Sequence, residues 1–351
     1  MSKLNFKESL NFALTNNWRM KNNFLLLLIF LSGFFFSQEY KPDILGNGFE
    51  QKTLNFPIDY EGKVTATVIR KKAASPTRKA VLYIHGFNDY FFQAEMAEKF
   101  NAKGFDFYAL DLRKYGRSYL PHQTFNNVRN LDEYNAEIDE ALKIIAAENH
   151  HRILLAGHST GGLITTRYMK YHAGNPNIAG LWVNSPFYDF NMGFLAKKIG
   201  IPIISGLGKH YPDTKIGGGF STFYGESLHK DFKGEWNYDL KLKPNANGKV
   251  NFGFIRAIHR AQKDIRNTEL KVPVLVMHSE KSGYPKVWNE EVTSTDIILN
   301  VKDIHKNAEN FKGNVTIIPV KGGIHDLVLS KKPVREKVYD ELFSWLQKID
   351  F

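Results

Sequence analysis

The chain has 351 residues, of which 43% are hydrophobic and 24% charged, the composition of a folded globular protein with room for one α/β domain or a core plus an insert. Its formal net charge of +11 is spread in ones and twos without a block of like charge, which speaks against a nucleic-acid partner. It contains no cysteine, so disulfides, thiolate catalysis and cysteine-ligated metals are excluded.

The first feature along the chain is an uncharged apolar run, Phe24–Phe36, preceded by Lys21 and ended by Ser37-Gln38-Glu39. It is shorter than the roughly 20 residues a membrane-spanning helix needs and falls within the roughly 7–15 of a signal-peptide core. Residues 1–37 are therefore expected to be an export signal, or an uncleaved anchor because Phe35 fits the usual small position poorly. Met20-Lys21-Asn22-Asn23 would make a leader of ordinary length, which points to Met20 as the translation start. The expected location is periplasmic, secreted or membrane-anchored.

Downstream, Lys63–Arg70 alternates and is β-branched, the pattern of a strand. Ala80–Ile84, Phe105–Leu110, Ile153–Ala156, Gly180–Val183, Pro273–Met277 and Val315–Pro319 are short, nearly continuous apolar runs, as in strands buried on both faces. Helical spacing lies between them: Met96 and Phe100 before Gly104, then Leu131, Tyr134, Ile138, Ala141, Leu142 and Ile145, and finally Val334, Val338, Leu342, Trp345 and Leu346. Alternating strands and helices predict a doubly wound, mostly parallel α/β sheet. The alternation fails between 187 and 268, where aromatic residues argue against a disordered loop. The expected layout is a core in two parts, 38–186 and 269–351, with a helical or irregular cap insert at 187–268.

Gly157-His158-Ser159-Thr160-Gly161 follows one of these strands and opens a helix-like run. Strand, G-x-S-x-G and helix together are the context of a nucleophile elbow, with Ser159 the nucleophile. A serine alcohol needs a base within hydrogen-bond reach and an acid to orient that base. His325 is the candidate base, on the glycine-bearing loop Lys321–Asp326 after the last strand, where such a sheet builds its site. His278 precedes the acid candidates and so has the wrong chain order. Asp296 lies 29 residues before His325, close to the roughly 27 that one helix, one strand and two connections occupy, and is the preferred acid. Glu280 remains the alternative if residues 282–294 form a long loop, and Asp303 lies too close to the histidine. Asp326 is read as a helper of local turn geometry. The tetrahedral intermediate needs two backbone N–H donors, and Thr160 and Phe87 are the candidates. His158 is expected to pack away from the reacting centre, with no metal role because no second ligand stands at metal spacing.

His85-Gly86-Phe87, Asp111-Leu112-Arg113-Lys114-Tyr115-Gly116-Arg117-Ser118, the elbow, Asn184-Ser185-Pro186, Asp296 and Ile324-His325-Asp326 together resemble the α/β-hydrolase superfamily, in its monoacylglycerol lipase, lysophospholipase and serine aminopeptidase branch. The resemblance spans about residues 55 to 348. It implies a Ser-Asp-His triad, no cofactor, and a cap after the sixth core strand. Two departures stand out: Lys114 occupies a position usually held by glycine, and the acid lies farther from its strand than usual. The expected activity is hydrolysis of a lipid-like acyl ester through an acyl-enzyme. Peptide cleavage at a free N-terminus is the alternative, with Glu226, Asp231 or Glu235 as a carboxylate for the ammonium. A non-catalytic binding protein on the same scaffold is the third reading. The basic surface would suit an anionic lipid interface.

Overall fold

In the computed structural model, residues 39–217, 221–246 and 248–351 are described. The expected leader, residues 1–37, and the start at Met20 lie outside them. Eleven strands occur among the described residues: β1 (Lys41–Pro42), β2 (Glu50–Asp59), β3 (Gly62–Lys71), β4 (Lys79–Ile84), β5 (Asp106–Asp111), β6 (Arg152–His158), β7 (Ile178–Asn184), β8 (Lys215–Ile216), β9 (Val250–Asn251), β10 (Val274–Ser279) and β11 (Val315–Val320). Eight helices accompany them: α1 (Ala94–Ala102), α2 (Asn135–Ala147), α3 (Thr160–Tyr171), α4 (Ile201–Leu207), α5 (Phe223–Leu228), α6 (Phe252–Asp264), α7 (Val301–Glu309) and α8 (Lys332–Lys348). No described helix is long and apolar enough to cross a membrane.

The main sheet runs β1-β2-β3-β5-β4-β6-β7-β10-β11. The four strands from β1 to β5 pair antiparallel, and those from β5 to β11 pair parallel. The apolar runs are continuous because both faces are covered. Along β4, Ala80, Leu82 and Ile84 enter one core cluster while Val81 and Tyr83 enter the other. Along β6, Ile153 and Leu155 face the first cluster and Leu154 and Ala156 the second. This is the period-2 alternation of a strand with two buried sides.

Sequence reasoning missed β2, which has few buried side chains and hence no apolar run. Within the segment expected to form the insert, α6 packs into the first core cluster through Phe254, Ala257, Ile258 and Ala261. Asp264 at its end pairs with Arg167 and Lys170 of α3. Residues of α4, α5 and the small β8–β9 ribbon, all before α6, line one cavity with Ser159.

Lys114 has its structural reason in the β2–β3 turn. Its φ of 66° is in the left-handed region, which costs a non-glycine residue roughly 1–2 kcal/mol. Its buried ammonium lies 2.7 Å from both Asp59 and Glu61, so the side chain supplies a cation that glycine could not.

Candidate active site

Parallel strands put their carboxyl ends on one rim, and the loops that leave β4, β6, β10 and β11 meet there. Ser159 sits between β6 and α3 at φ 53° and ψ −116°, the sharp turn that lifts a side chain clear of the sheet. The flanking glycines are required by contact. A Cβ on Gly161 would collide with the carbonyls of Ile84 and His85, and one on Gly157 would meet Gly161 and Thr165.

Ser159 Oγ lies 3.0 Å from His325 Nε2, and His325 Nδ1 lies 2.9 Å from Asp296 Oδ2. All three side chains are buried. In a neutral imidazole the arrangement assigns the proton to Nδ1, donated to Asp296, and leaves Nε2 to accept the serine hydroxyl. Asp296 Oδ1 accepts the N–H groups of Ile298 and Leu299, both at 2.8 Å, which fixes the carboxylate plane.

Asp296 reaches this position although it lies well beyond the end of β10. Ser282 bridges it in parallel fashion, the Asp296 N–H donates to the carbonyl of Lys281, and the Gly283 N–H donates to the carbonyl of Asp296. Residues 283–295 leave and return at one point, so the chain resumes at the rim as if they were absent. Glu280 is exposed, and the carboxylate on His325 Nδ1 is that of Asp296.

Phe87 and Thr160 both border the pocket above Ser159. Thr160 opens α3, whose first-turn N–H groups have no partner within the helix. The loop that carries Phe87 lies against Ser159: a Cβ on Gly86 would stand 3.1 Å from the serine Cβ. His85 holds this loop, its Nδ1 donating to Gly86 O at 2.8 Å and its Nε2 accepting from Leu112 N–H at 3.0 Å. Burial lowers its pKa, which suits the neutral ring this pairing needs.

His158 does not pack away. On β6 its side chain continues the face of Leu154 and Ala156, which share a core cluster with Ile324 and Leu327 on either side of His325 in the chain. Its ring centroid is 4.9 Å from that of His325, with Tyr224 on another side of His325 at 5.6 Å. Burial opposes a charge on His158. The carboxylates of Asp326 and Asp89, with Nδ1 at 4.0 and 3.7 Å, outweigh it and raise the pKa above its ordinary value. Asp326 accepts from Asn184 at 2.7 Å, Gln93 at 3.1 Å and the N–H of Val328, so it caps the turn after His325 and ties it to β7.

Sequence reasoning missed Asp89, Tyr224 and Lys243. Asp89 stands two residues beyond Phe87 and could have been found from that loop. No sequence signal marks Lys243, whose ammonium lies 2.9 Å from Asp89.

The cavity over Ser159 has a volume of about 270 Å³. Phe87, Phe187, Phe190, Ile201, Ile204 and Phe254 make its walls mainly apolar, and Asn88, Asp89, Lys243 and Asn245 form a polar end. Glu226, Asp231 and Glu235 do not line it. They pair with Thr222, Lys230 and Arg335.

The strand order, the elbow and the loops that converge on it define an α/β-hydrolase. The chain belongs to the serine aminopeptidase S33 family, whose model matches residues 75–329. It is 24% identical over 213 residues to the AB hydrolase superfamily protein YisY of Bacillus subtilis (strain 168), covering 58% of this chain and 74% of the relative. Among solved structures it resembles a monoacylglycerol lipase from Paleococcus ferrophilus, with a TM-score of 0.61 at 19% identity over 80% of this chain and 99% of that one. It also resembles a soluble variant of monoglyceride lipase from Saccharomyces cerevisiae, solved with a substrate analogue, with a TM-score of 0.60 at 18% identity over 89% of this chain and 95% of that one. At these identities the structural likeness speaks for the fold.

Proposed function

We propose that this hydrolase cleaves carboxylic esters of lipid-like acids through Ser159, His325 and Asp296. The observation that carries the reading is the hydrogen-bonded chain from Asp296 through His325 to Ser159 Oγ on the floor of an apolar pocket. Ser159 Oγ attacks the acyl carbonyl while its proton passes to His325 Nε2. The oxyanion is held by the N–H groups of Phe87 and Thr160, and Asp296 holds the imidazolium. The imidazolium then gives its proton to the departing alcohol. Water, deprotonated by the same nitrogen, releases the acid and restores the serine.

The apolar walls favour an acyl chain, as in a monoglyceride or lysophospholipid, over a short polar peptide. Aminopeptidase action has less support: the acidic residues expected to hold an ammonium are paired elsewhere, and Asp89, the carboxylate at the polar end, is already bound to Lys243. Complete pairing of the three catalytic candidates likewise leaves little for a purely binding role. A membrane surface fits as the source of substrate, since the segment over the pocket presents exposed Phe194, Leu195, Ile199 and Ile203. The run Phe24–Phe36 supports export of the chain or its anchoring there.

A fluorophosphonate probe tests the reading. It should label the wild-type protein on Ser159, and Ser159→Ala should lose both labelling and turnover of p-nitrophenyl esters. A folded Ser159→Ala protein with full esterase activity would overturn it, and faster turnover of aminoacyl anilides than of esters would favour the peptidase.

A further inference from the structure

The loop that follows Phe87 is held from the far side of the pocket. Asn88 donates its amide to the carbonyl of Pro244 at 2.8 Å. The hydroxyl of Tyr90 accepts the N–H of Asp239 at 2.9 Å. The ring of Phe92 packs on Tyr238 with centroids 4.6 Å apart. At the centre of this seam, Lys243 Nζ lies 2.9 Å from Asp89 Oδ1, with both side chains buried. The other oxygen of Asp89 faces His158 Nδ1 at 3.7 Å, and His158 in turn packs on the His325 ring.

Lys243 is the nearer of the two cationic groups that face the buried Asp89 carboxylate, at 2.9 Å against 3.7 Å for His158, and removing it leaves that buried charge undercompensated. Lys243 comes from the segment between β7 and β10, and Asp89 stands two residues after the proposed oxyanion donor. The pair therefore links the cover of the pocket to its floor.

We propose that Lys243 is a positioning residue: through Asp89 it fixes the loop that presents the Phe87 N–H to the oxyanion and keeps the His158 ring seated against His325. The proposal rests on the ester-hydrolase reading. Correct seating of residues 238–245 over the pocket and correct placement of the oxyanion donor then become one event. Because Lys243 also borders the cavity, direct binding of the substrate head group is the competing role, and the two predict different kinetics.

The test uses the full chain with a neutral substrate, p-nitrophenyl butyrate, and a trifluoromethyl ketone that forms a reversible tetrahedral adduct on a serine. For Lys243→Met, kcat should fall by roughly ten- to a hundredfold with KM within about threefold, as expected when a donor to the oxyanion is displaced. Affinity for the ketone should fall in the same proportion. Lys243→Arg should recover most of the loss. Asp89→Asn should show the same pattern, and the double variant Lys243→Met/Asp89→Asn should be no worse than the poorer single one. Should Lys243→Met fail to fold, Asn88→Ala cuts the same seam without touching a charge and should lower kcat and ketone affinity together by a smaller factor. A rise in KM at unchanged kcat, additive losses in the double variant, or unchanged ketone affinity in the folded single variants would each overturn the proposal. Failure of the wild type to react with a fluorophosphonate would instead overturn the ester-hydrolase reading itself.

Discussion

Ser282 pairs with Asp296 across a parallel bridge at the sheet rim, and the residues between them loop outward and return. Ser282 secures the junction twice over, donating its hydroxyl to Leu299 O at 2.8 Å and accepting the N–H of Val301 at 2.9 Å. The carboxylate that touches His325 therefore arrives from a distant point in the chain without a displaced geometry.

That relationship separates the two acid candidates by experiment. Asp296→Asn keeps the side-chain volume but presents the wrong charge to His325 Nδ1. We expect kcat to fall by about 10³-fold or more, with KM changed little, on the scale known for such replacements. Glu280→Gln should stay within about twofold of wild type, because its side chain is exposed. Steady-state kinetics on a soluble ester decide the matter, and the reverse ranking would transfer the role to Glu280.

Lys114 gives a stability prediction. Lys114→Met leaves Asp59 and Glu61 facing one another without their cation, an arrangement that costs about 3 kcal/mol. Adding Asp59→Asn and Glu61→Gln should return most of that loss. Urea denaturation of the three proteins reads both numbers, and a lone Lys114→Met change without effect would show the ion pair to be idle.

His158 predicts the pH dependence of stability. Its pKa is raised in the folded protein, so the folded state holds a proton that the unfolded chain releases near the ordinary value of about 6.5. The resulting stabilisation is fully present below that pH and is lost as pH rises through the higher folded value. The stability difference between wild type and His158→Gln should shrink steadily from pH 6 into the alkaline range. Denaturation midpoints that keep a constant or widening gap across that range would contradict a charged imidazole.

The exposed side chains over the pocket carry the membrane prediction. Leu195, Ile199 and Ile203 recur at four-residue steps, each more than half exposed, beside the exposed Lys198 and Lys209. None of these residues lines the cavity. Burying one such side chain in lipid gains about 1.5–3 kcal/mol. Ile199→Asp with Ile203→Asp should therefore reduce binding to phosphatidylglycerol vesicles at least tenfold while leaving turnover of p-nitrophenyl butyrate unchanged. Equal vesicle sedimentation by the variant and the wild type would count against this face as the docking surface.

Much of the core was legible along the chain because a doubly covered strand must be apolar at every position. Ala80–Ile84 and Ile153–Ala156 announced themselves for that reason. β2 did not, since its side chains are mostly part-exposed and leave no continuous run. α6 escaped because the surrounding segment breaks the strand-helix rhythm, although Phe254, Ile258 and Ala261 have helical spacing.

What the sequence determined by itself is local: the elbow follows from the order of a strand, two glycines, a serine and a helix, and His325 from its place after the last strand. Spacing back from His325 favoured Asp296 but left Glu280 open; tertiary structure decided between them, because the Ser282 bridge removes residues 283–295 from the path. It also decided that His158 packs against His325 and that Lys243 reaches Asp89. Those contacts join segments far apart in the chain, and the forces that fix them, burial and the pairing of buried charge, depend on neighbours that only the folded molecule supplies.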